Sequence, residues 1–441
     1  MNTDSLQPQQ LHDTVLHALK SQAVVDMHTH LYPPVFGTPV PGSSGKNDPA
    51  GLLLWGIDEL VTYHYLVAEV YRVVPASKLP YEQFWKMSKQ AQADHIWKHL
   101  FVERTPISEA CRGVLTTLQK LGLDPNEKSL TAYRAFFAKQ DPSKYIDRVM
   151  EIANVTSITM TNPVFDDNER QRWLNDANLL GSDSRFKAVL RIDPLLRSWP
   201  TAAKKLAEWG YKVSEEISTG TIDEVRRFLR EWIDRQKAIY LAVSLPPEFR
   251  YPAVADDAMG RAGQAILEKA ILPTCAERGL PWAMMIGSRM RVNPALGDAG
   301  DMVGKSDINS VVTLCREFPR NKFFVTMLAR ENQHELCVAA RKFGNLMVFG
   351  CWWFLNNPSL IEEIERMRIE LLGTSFIPQH SDARILDQLI YKWEHSRRIL
   401  AKVLAEKYED LLETGRRVTK ADVEHDAKLM LRENFATFLG N

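Results

Sequence analysis

The sequence is poor in the features that mark most specialised protein classes. It has only five cysteines in 441 residues: Cys111, Cys275, Cys315, Cys337 and Cys351. They are odd in number and widely spaced, with no C-x-x-C pair, so neither a disulfide framework nor a zinc knuckle is indicated, and a reducing, cytoplasmic setting is expected. Net charge is absent too, since Lys+Arg and Asp+Glu are both 55. No overall basic field draws in nucleic acid or an anionic membrane. No stretch approaches the roughly 18 apolar residues of a membrane span, and the first residues, with Asp4, Gln7, Gln9, Gln10 and Asp13, lack the basic start and apolar core of a signal peptide. A soluble protein is expected. Finally, no glycine-rich phosphate turn follows any apolar run, which weighs against a doubly wound nucleotide-binding sheet.

What is present begins with Val24-Val25-Asp26-Met27-His28-Thr29-His30, a short apolar run ending in a charge and two histidines one residue apart. Side chains alternate along a strand, so His28 and His30 share a face and can grip one metal ion. With 11 histidines in the chain, such a pair alone proves little. Its place at the C-terminal end of a buried-looking strand adds weight, because that is where (β/α)8 barrels put their chemistry.

The chain in order supports that architecture. Leu11, Val15, Leu16 and Leu19 fall at helical spacing and predict a helix over 9–20 that covers the bottom of the first strand. Residues 33–51 are dense in proline and glycine and predict a long loop, a candidate lid. From 53 to about 139 the pattern is helical and predicts an all-α insertion on the active face. Apolar or β-branched runs then recur at 155–160, 186–192, 238–245, 282–286, 322–328, 346–354 and 370–378, separated by helical stretches. With the first strand they make eight. Runs apolar on both faces suit parallel strands covered on both sides, so the expected fold is an α/β (β/α)8 TIM barrel with an all-α insertion after strand one. The barrel is expected over residues 1–32 and 150–441, with the loop and helical insertion at 33–149. The tail from Arg384 is helical, with a last helix near 421–439.

The residues at the strand ends are unusually polar. Strand three offers Arg191 and Asp193, strand six is followed by Arg330, Glu331 and His334, strand seven offers Trp352 and Trp353, and strand eight runs into Gln379-His380-Ser381-Asp382-Ala383-Arg384. Two imidazoles and the Asp382 carboxylate would leave open positions on a divalent ion for Lewis-acid work. Each residue has a plainer reading. Arg191 and Asp193 also fit a rim ion pair, Arg330 and Glu331 a solvated helix start, and His334 and His380 surface or satisfied histidines. Trp352 and Trp353 alternate, so one is expected in the core. His64 and Tyr65 lie on an otherwise apolar helix and would be packing residues.

The segments Asp26-Met27-His28-Thr29-His30-Leu31, His64-Tyr65, Gly350-Cys351-Trp352-Trp353-Phe354 and Ser381-Asp382-Ala383-Arg384, with Tyr391 and Arg397-Arg398-Ile399-Leu400 after them, resemble the uronate (glucuronate) isomerases of the amidohydrolase superfamily, in a divergent bacterial branch. The resemblance runs from about residue 20 to the C-terminus. It implies one divalent metal, usually zinc, on His28, His30 and Asp382. It also implies His64 and Tyr65 beside Asp382 in catalysis, and Arg384 for the substrate. Arg191, Arg330, Trp352 and Trp353 are the further substrate-binding candidates. The implied reaction is an aldose-ketose isomerisation, D-glucuronate to D-fructuronate and D-galacturonate to D-tagaturonate, by proton transfer between C2 and C1. The implied partner is a small sugar acid (a hexuronate), with no nucleic acid or membrane and with assembly into a homo-oligomer. Met284-Met285-Ile286-Gly287 departs from the common Leu-His-Ile-Gly of strand five, and the segment after Tyr65 is apolar where the common form is basic and aromatic. The competing function is a mononuclear metal-dependent hydrolase of the wider superfamily. It is disfavoured because strands four to six supply no ligand.

Overall fold

A computed structural model of the chain describes residues 5–40, 48–176, 178–181 and 183–440. Its first strand, Val24–Thr29, pairs in parallel with the second, Val155–Met160, which is prolonged by Asn162–Pro163. The third strand comes in two pieces, Phe186–Lys187 and Leu190–Arg191, and the fourth to seventh are Leu241–Leu245, Trp282–Ile286, Phe323–Met327 and Leu346–Val348. Each pairs in parallel with the next. A parallel bridge from Phe349 to Ile377 adds an eighth position. Beyond it the Asp382 N–H donates to the His28 carbonyl at 3.1 Å and the His30 N–H to the Ala383 carbonyl at 2.7 Å, so the last segment returns to the first strand. The fold is the expected α/β TIM-barrel type.

Alternation along the strands sorts the core into two layers. Trp282, Met284 and Ile286 face the surrounding helices, while Ala283 and Met285 face inward with Met27, Val189, Ala242 and Phe324. The far end is plugged by the C-terminal helix Asn434–Leu439, whose Phe435 and Phe438 rings stand 5.7 and 4.8 Å from that of Phe324.

Three expectations need correction. The run at 370–378 is not a strand throughout: Glu370, Leu371 and Leu372 belong to the last turn of helix Pro358–Leu372, which Gly373 ends at φ +61°. The strand within 346–354 stops at Val348, because Gly350 turns the chain at φ +65° and a Cβ there would stand 1.7 Å from His380 Nδ1. The helix Pro8–Ser21 packs its buried Leu11, Val15 and Leu19 chiefly on the long helix Gln388–Glu413 and on Lys420–Lys428, instead of on the first strand. In the predicted loop, Pro34–Phe36 forms a short 3-10 turn, and the part at 41–47 lies outside the described residues. All five cysteines are free and buried. Among the described residues no helix is long and apolar enough to cross a membrane.

Among the described residues seven α-helices lie between the first and second strands: Ile57–Val61, His64–Val73, Tyr81–Lys86, Lys89–Trp97, Glu109–Lys120, Thr131–Phe137 and Pro142–Ala153. At the barrel's seam, where strand hydrogen bonds are few, the fully buried Arg368 takes over. Its guanidinium donates to Gly350 O at 2.7 Å, Pro378 O at 3.3 Å, Gln333 Oε1 at 3.3 Å and Glu365 Oε1 at 3.1 Å, tying the ends of strands six, seven and eight to one helix. Burial already raises the Glu365 carboxyl to about 7 beside the guanidinium, so in Arg368→Leu it protonates, but the buried Gly350 and Pro378 carbonyls lose their donor, and the loss is expected to cost about 3–5 kcal/mol. Urea unfolding of the two proteins checks this, and a loss below about 1 kcal/mol would show that the seam holds without the guanidinium.

Candidate active site

The first strand delivers its two imidazoles to one place while Thr29 points away, donating to Thr159 O at 3.1 Å. His28 Nε2 and His30 Nε2 stand 3.4 and 3.3 Å from Asp382 Oδ1, and the three ligand-type atoms lie within 4.8 Å of one another. That oxygen is buried and accepts no hydrogen bond. The Thr161 hydroxyl spends its hydrogen on Thr29 O at 2.8 Å, so the 3.3 Å contact with His28 Nδ1 requires the imidazole to donate. With Nδ1 engaged behind, His28 presents Nε2 to Asp382, the orientation of a metal ligand held from behind. Loss of hydration in the chamber keeps His30 neutral despite Asp382, with a pKa lowered to about 4. Burial would raise the Asp382 carboxyl, but the two imidazoles outweigh it and hold the group well below its ordinary range. Two imidazole nitrogens and one ionised carboxylate with an orphaned oxygen form a donor set that fits a divalent ion.

Asp382 is left-handed at φ +49°, a conformation that non-glycine residues rarely adopt. The chain around it is clamped. Asp26 accepts the Ser381 N–H at 3.1 Å and the Trp393 indole N–H at 2.9 Å, and the buried Lys392 ammonium donates to Ser381 O at 2.6 Å. Burial raises the Asp26 carboxyl against those hydrogen bonds, and burial lowers the Lys392 ammonium against the Asp382 and Asp26 charges. His380 lies beneath His28, ring centroids 5.3 Å apart, with neither ring nitrogen hydrogen-bonded. It is neither the surface nor the satisfied histidine expected.

A chamber of about 190 Å³ opens above the triad. Its walls include Tyr63, His64, Arg191, Ser244, Met285, Trp352, Trp353 and Arg384. The helix His64–Val73 begins at the chamber, which is how the insertion reaches the barrel mouth. The Trp353 indole donates to His64 Nε2 at 3.0 Å, so His64 is a neutral imidazole with its hydrogen on Nδ1. Loss of hydration, helped by the Arg384 charge, pushes its pKa down to about 3. Arg191 is both a rim ion pair and a wall residue: Nε donates to Asp193 at 2.6 Å and Nη2 to Ser244 Oγ at 2.9 Å. Arg384 is half exposed and pairs with Asp298 at 3.3 Å.

Some expected residues fall elsewhere. Arg330 is exposed and pairs with Glu363 at 2.9 Å, off the chamber wall, as the solvated reading had it. Tyr65 lies behind the wall, its hydroxyl 3.5 Å from Trp353 O, whereas Tyr63 faces the chamber. The cap position of Tyr63 turns its ring back over the mouth, and burial raises its phenol well above 10. Both Trp352 and Trp353 border the chamber, since Gly350 and the φ +48° at Trp353 end the strand alternation. Tyr63, Ser244 and Lys392 were missed; a lysine three residues after Leu389, on the same face of an otherwise apolar helix turn, was the available signal for the last.

The chain is similar to solved structures along its whole length. A uronate isomerase from Bacillus halodurans is 51% identical, with a TM-score of 0.91, 99% of this chain and 97% of that one being covered. A uronate isomerase from Thermotoga maritima (15% identity, TM-score 0.76, 98% and 97% covered) and a glucuronate isomerase from Caulobacter crescentus (14%, 0.74, 98% and 94%) share the fold. No family model and no curated protein sequence matches.

Lys392→Met removes the charged donor that fixes the Ser381 carbonyl next to Asp382. Partners behind a metal ligand are typically worth 10–100-fold in affinity, so chelator competition should show divalent-ion binding weakened by about that factor in a folded protein. Unchanged affinity would mean that Asp382 is placed without the lysine.

Proposed function

Because the chain belongs to the uronate isomerase family, we propose that its chamber converts D-glucuronate to D-fructuronate and D-galacturonate to D-tagaturonate. The protein is a uronate isomerase, an aldose-ketose isomerase. The observation that carries this is a relative 51% identical over 99% of the chain. The hydrolase alternative gains no support: the similar structures are isomerases, and strand five presents the thioether of Met285 to the chamber.

His28, His30 and Asp382 would hold one divalent ion, with zinc the best match to two imidazoles and a carboxylate. When bound, it would supply Lewis-acid stabilisation of the negative charge that develops on the sugar oxygens. Asp382 is ionised, and its second oxygen, Oδ2, is the base assigned to take the proton from C2 and return it to C1. The Tyr63 hydroxyl, kept protonated by burial, and His64 Nδ1–H are the donors suited to the two oxygens whose bonding changes. Tyr63 thus takes the part expected of Tyr65. Trp353 fixes the His64 ring, and Trp352 and Met285 form apolar wall beside the triad. The substrate carboxylate is assigned to Arg384, whose only side-chain partner among the described residues is Asp298 at 3.3 Å, and next to Arg191, whose Nε and Nη2 are already engaged. Arg330 drops out.

Incubating the zinc-loaded protein with both hexuronates should produce the ketoses, seen by NMR, and no ketose from either would overturn the reading. Arg384→Lys keeps the charge but loses the fork, and is expected to lower turnover about 10²-fold with metal content intact. An equal loss on a neutral aldose would show that the arginine does not read the carboxylate.

Tyr63→Phe and Tyr65→Phe separate the two phenols. Loss of a group that handles a proton costs roughly 10²–10⁴ in rate, so Tyr63→Phe should fall by about that much while Tyr65→Phe stays within a few-fold. Thermal unfolding should show both folded. The reverse order of rates would return the role to Tyr65.

A further inference from the structure

Outside the chamber lies a larger, open cleft of about 580 Å³, bordered by the helical insertion, the turn at Pro294–Gly300 and Arg384-Ile385. The two cavities share Tyr63, His64, Asp298 and Arg384 as walls. Small-molecule sites typically run from about 300 to 1,000 Å³. The chamber is below that range and suits one six-carbon acid, whereas the outer cavity is well within it.

The lining of the outer cavity is that of a site. Trp85 is 44% exposed, yet its indole N–H is fixed on Ala295 O at 2.8 Å, so a flat apolar face is held still against solvent. Lys89 is answered by Glu59 at 3.2 Å and Arg384 by Asp298 at 3.3 Å. The Arg291 side chain makes no ion pair among the described residues, and it leaves this cavity with a surplus positive charge. A rigid aromatic face beside an uncommitted guanidinium matches a sugar ring that carries a carboxylate.

We propose that this outer cavity is a second sugar subsite, and that the protein isomerises the reducing-end residue of short uronides as well as free hexuronates. The inference rests on the isomerase reading. With C1 and C2 at Asp382 and the C6 carboxylate at Arg384, the C4 oxygen lies toward the shared wall, and a sugar linked there extends into the outer cavity. Linkage through O4 leaves C1 and C2 free to open and react. The C2–H bond breaks and a C1–H bond forms, the O2 hydrogen is replaced by one on O1, and the glycosidic bond is untouched. No co-reactant is consumed.

The test compares galacturonate with 4-linked digalacturonate on the zinc-loaded protein, with ketose at the reducing end followed by NMR and binding by calorimetry. Both sugars should turn over. Arg291→Glu and Trp85→Ala should each raise KM and Kd for the disaccharide about tenfold or more while leaving the monosaccharide within twofold. Turnover of the monosaccharide alone, or equal effects of both substitutions on the two sugars, would overturn the second subsite and leave the isomerase intact. Turnover of neither would remove both readings.

Discussion

Asp382 keeps its place because its own N–H and the peptide groups of Ser381 and Ala383 on either side of it are hydrogen-bonded. A left-handed aspartate costs roughly 1–3 kcal/mol. Against this stand the Asp382 N–H on His28 O, the His30 N–H on Ala383 O, and the Asp26 and Lys392 bonds to either side of Ser381. Neutral bonds contribute about 1 kcal/mol each and those to charged groups about 1.5–3, so the clamp outweighs the strain. Three of these bonds, those to His28 O, from His30 N–H and to Asp26, also join the last segment to the first strand. Closure of the fold and assembly of the triad are therefore one event, and neither can loosen without the other.

That seam is built differently from the opposite wall. Strands four to six are held by regular ladders and apolar contacts, Val243 against Met284 against Val325 in register. Around strands seven, eight and one the ladder shrinks to a bridge, and buried ions replace it: Arg368 with Glu365, and Asp26 with Lys392 across the Ser381 peptide. Ions in such places contribute most by making their own removal costly, because the partner left behind is uncompensated. This fixes one geometry where a loose one would spread the three ligand atoms apart.

The first strand, the sixth and the H-x-H face could be read from the sequence, because an apolar run with period two has few other solutions. The strand over 370–378 could not, since the apolar residues at its start complete a helix and only Gly373 marks the break. Arg330 looked like a strand-end residue of the site, but the charge of Glu363, far off in sequence, claims it. Tyr63 and Tyr65 differ by two residues on a helix start, so which of them faces the chamber depends on the cap geometry, and spacing does not carry that. Asp26 and Lys392 were visible only as charges in apolar surroundings. Their common partner, the Ser381 peptide, is a tertiary fact.

The charge pattern of the chamber sets the direction in which an acid sugar must lie. Asp382 is ionised, so a substrate carboxylate near it would face like-charge repulsion in a site with little water to screen it. His30 and His64 are neutral at working pH and cannot offset this. The positive charges of the lining sit instead on Arg191 and Arg197 at the wall and on Arg384 at the rim. On the isomerase reading proposed above, an open-chain hexuronate would lower its electrostatic energy by placing its carboxylate outward at Arg384 and its other end inward, which would put C1 and C2 beside Asp382. A neutral aldose has no such preference. Orientation then comes from the position of one exposed arginine relative to one buried aspartate two residues before it, and the left-handed turn at Asp382 is what separates them.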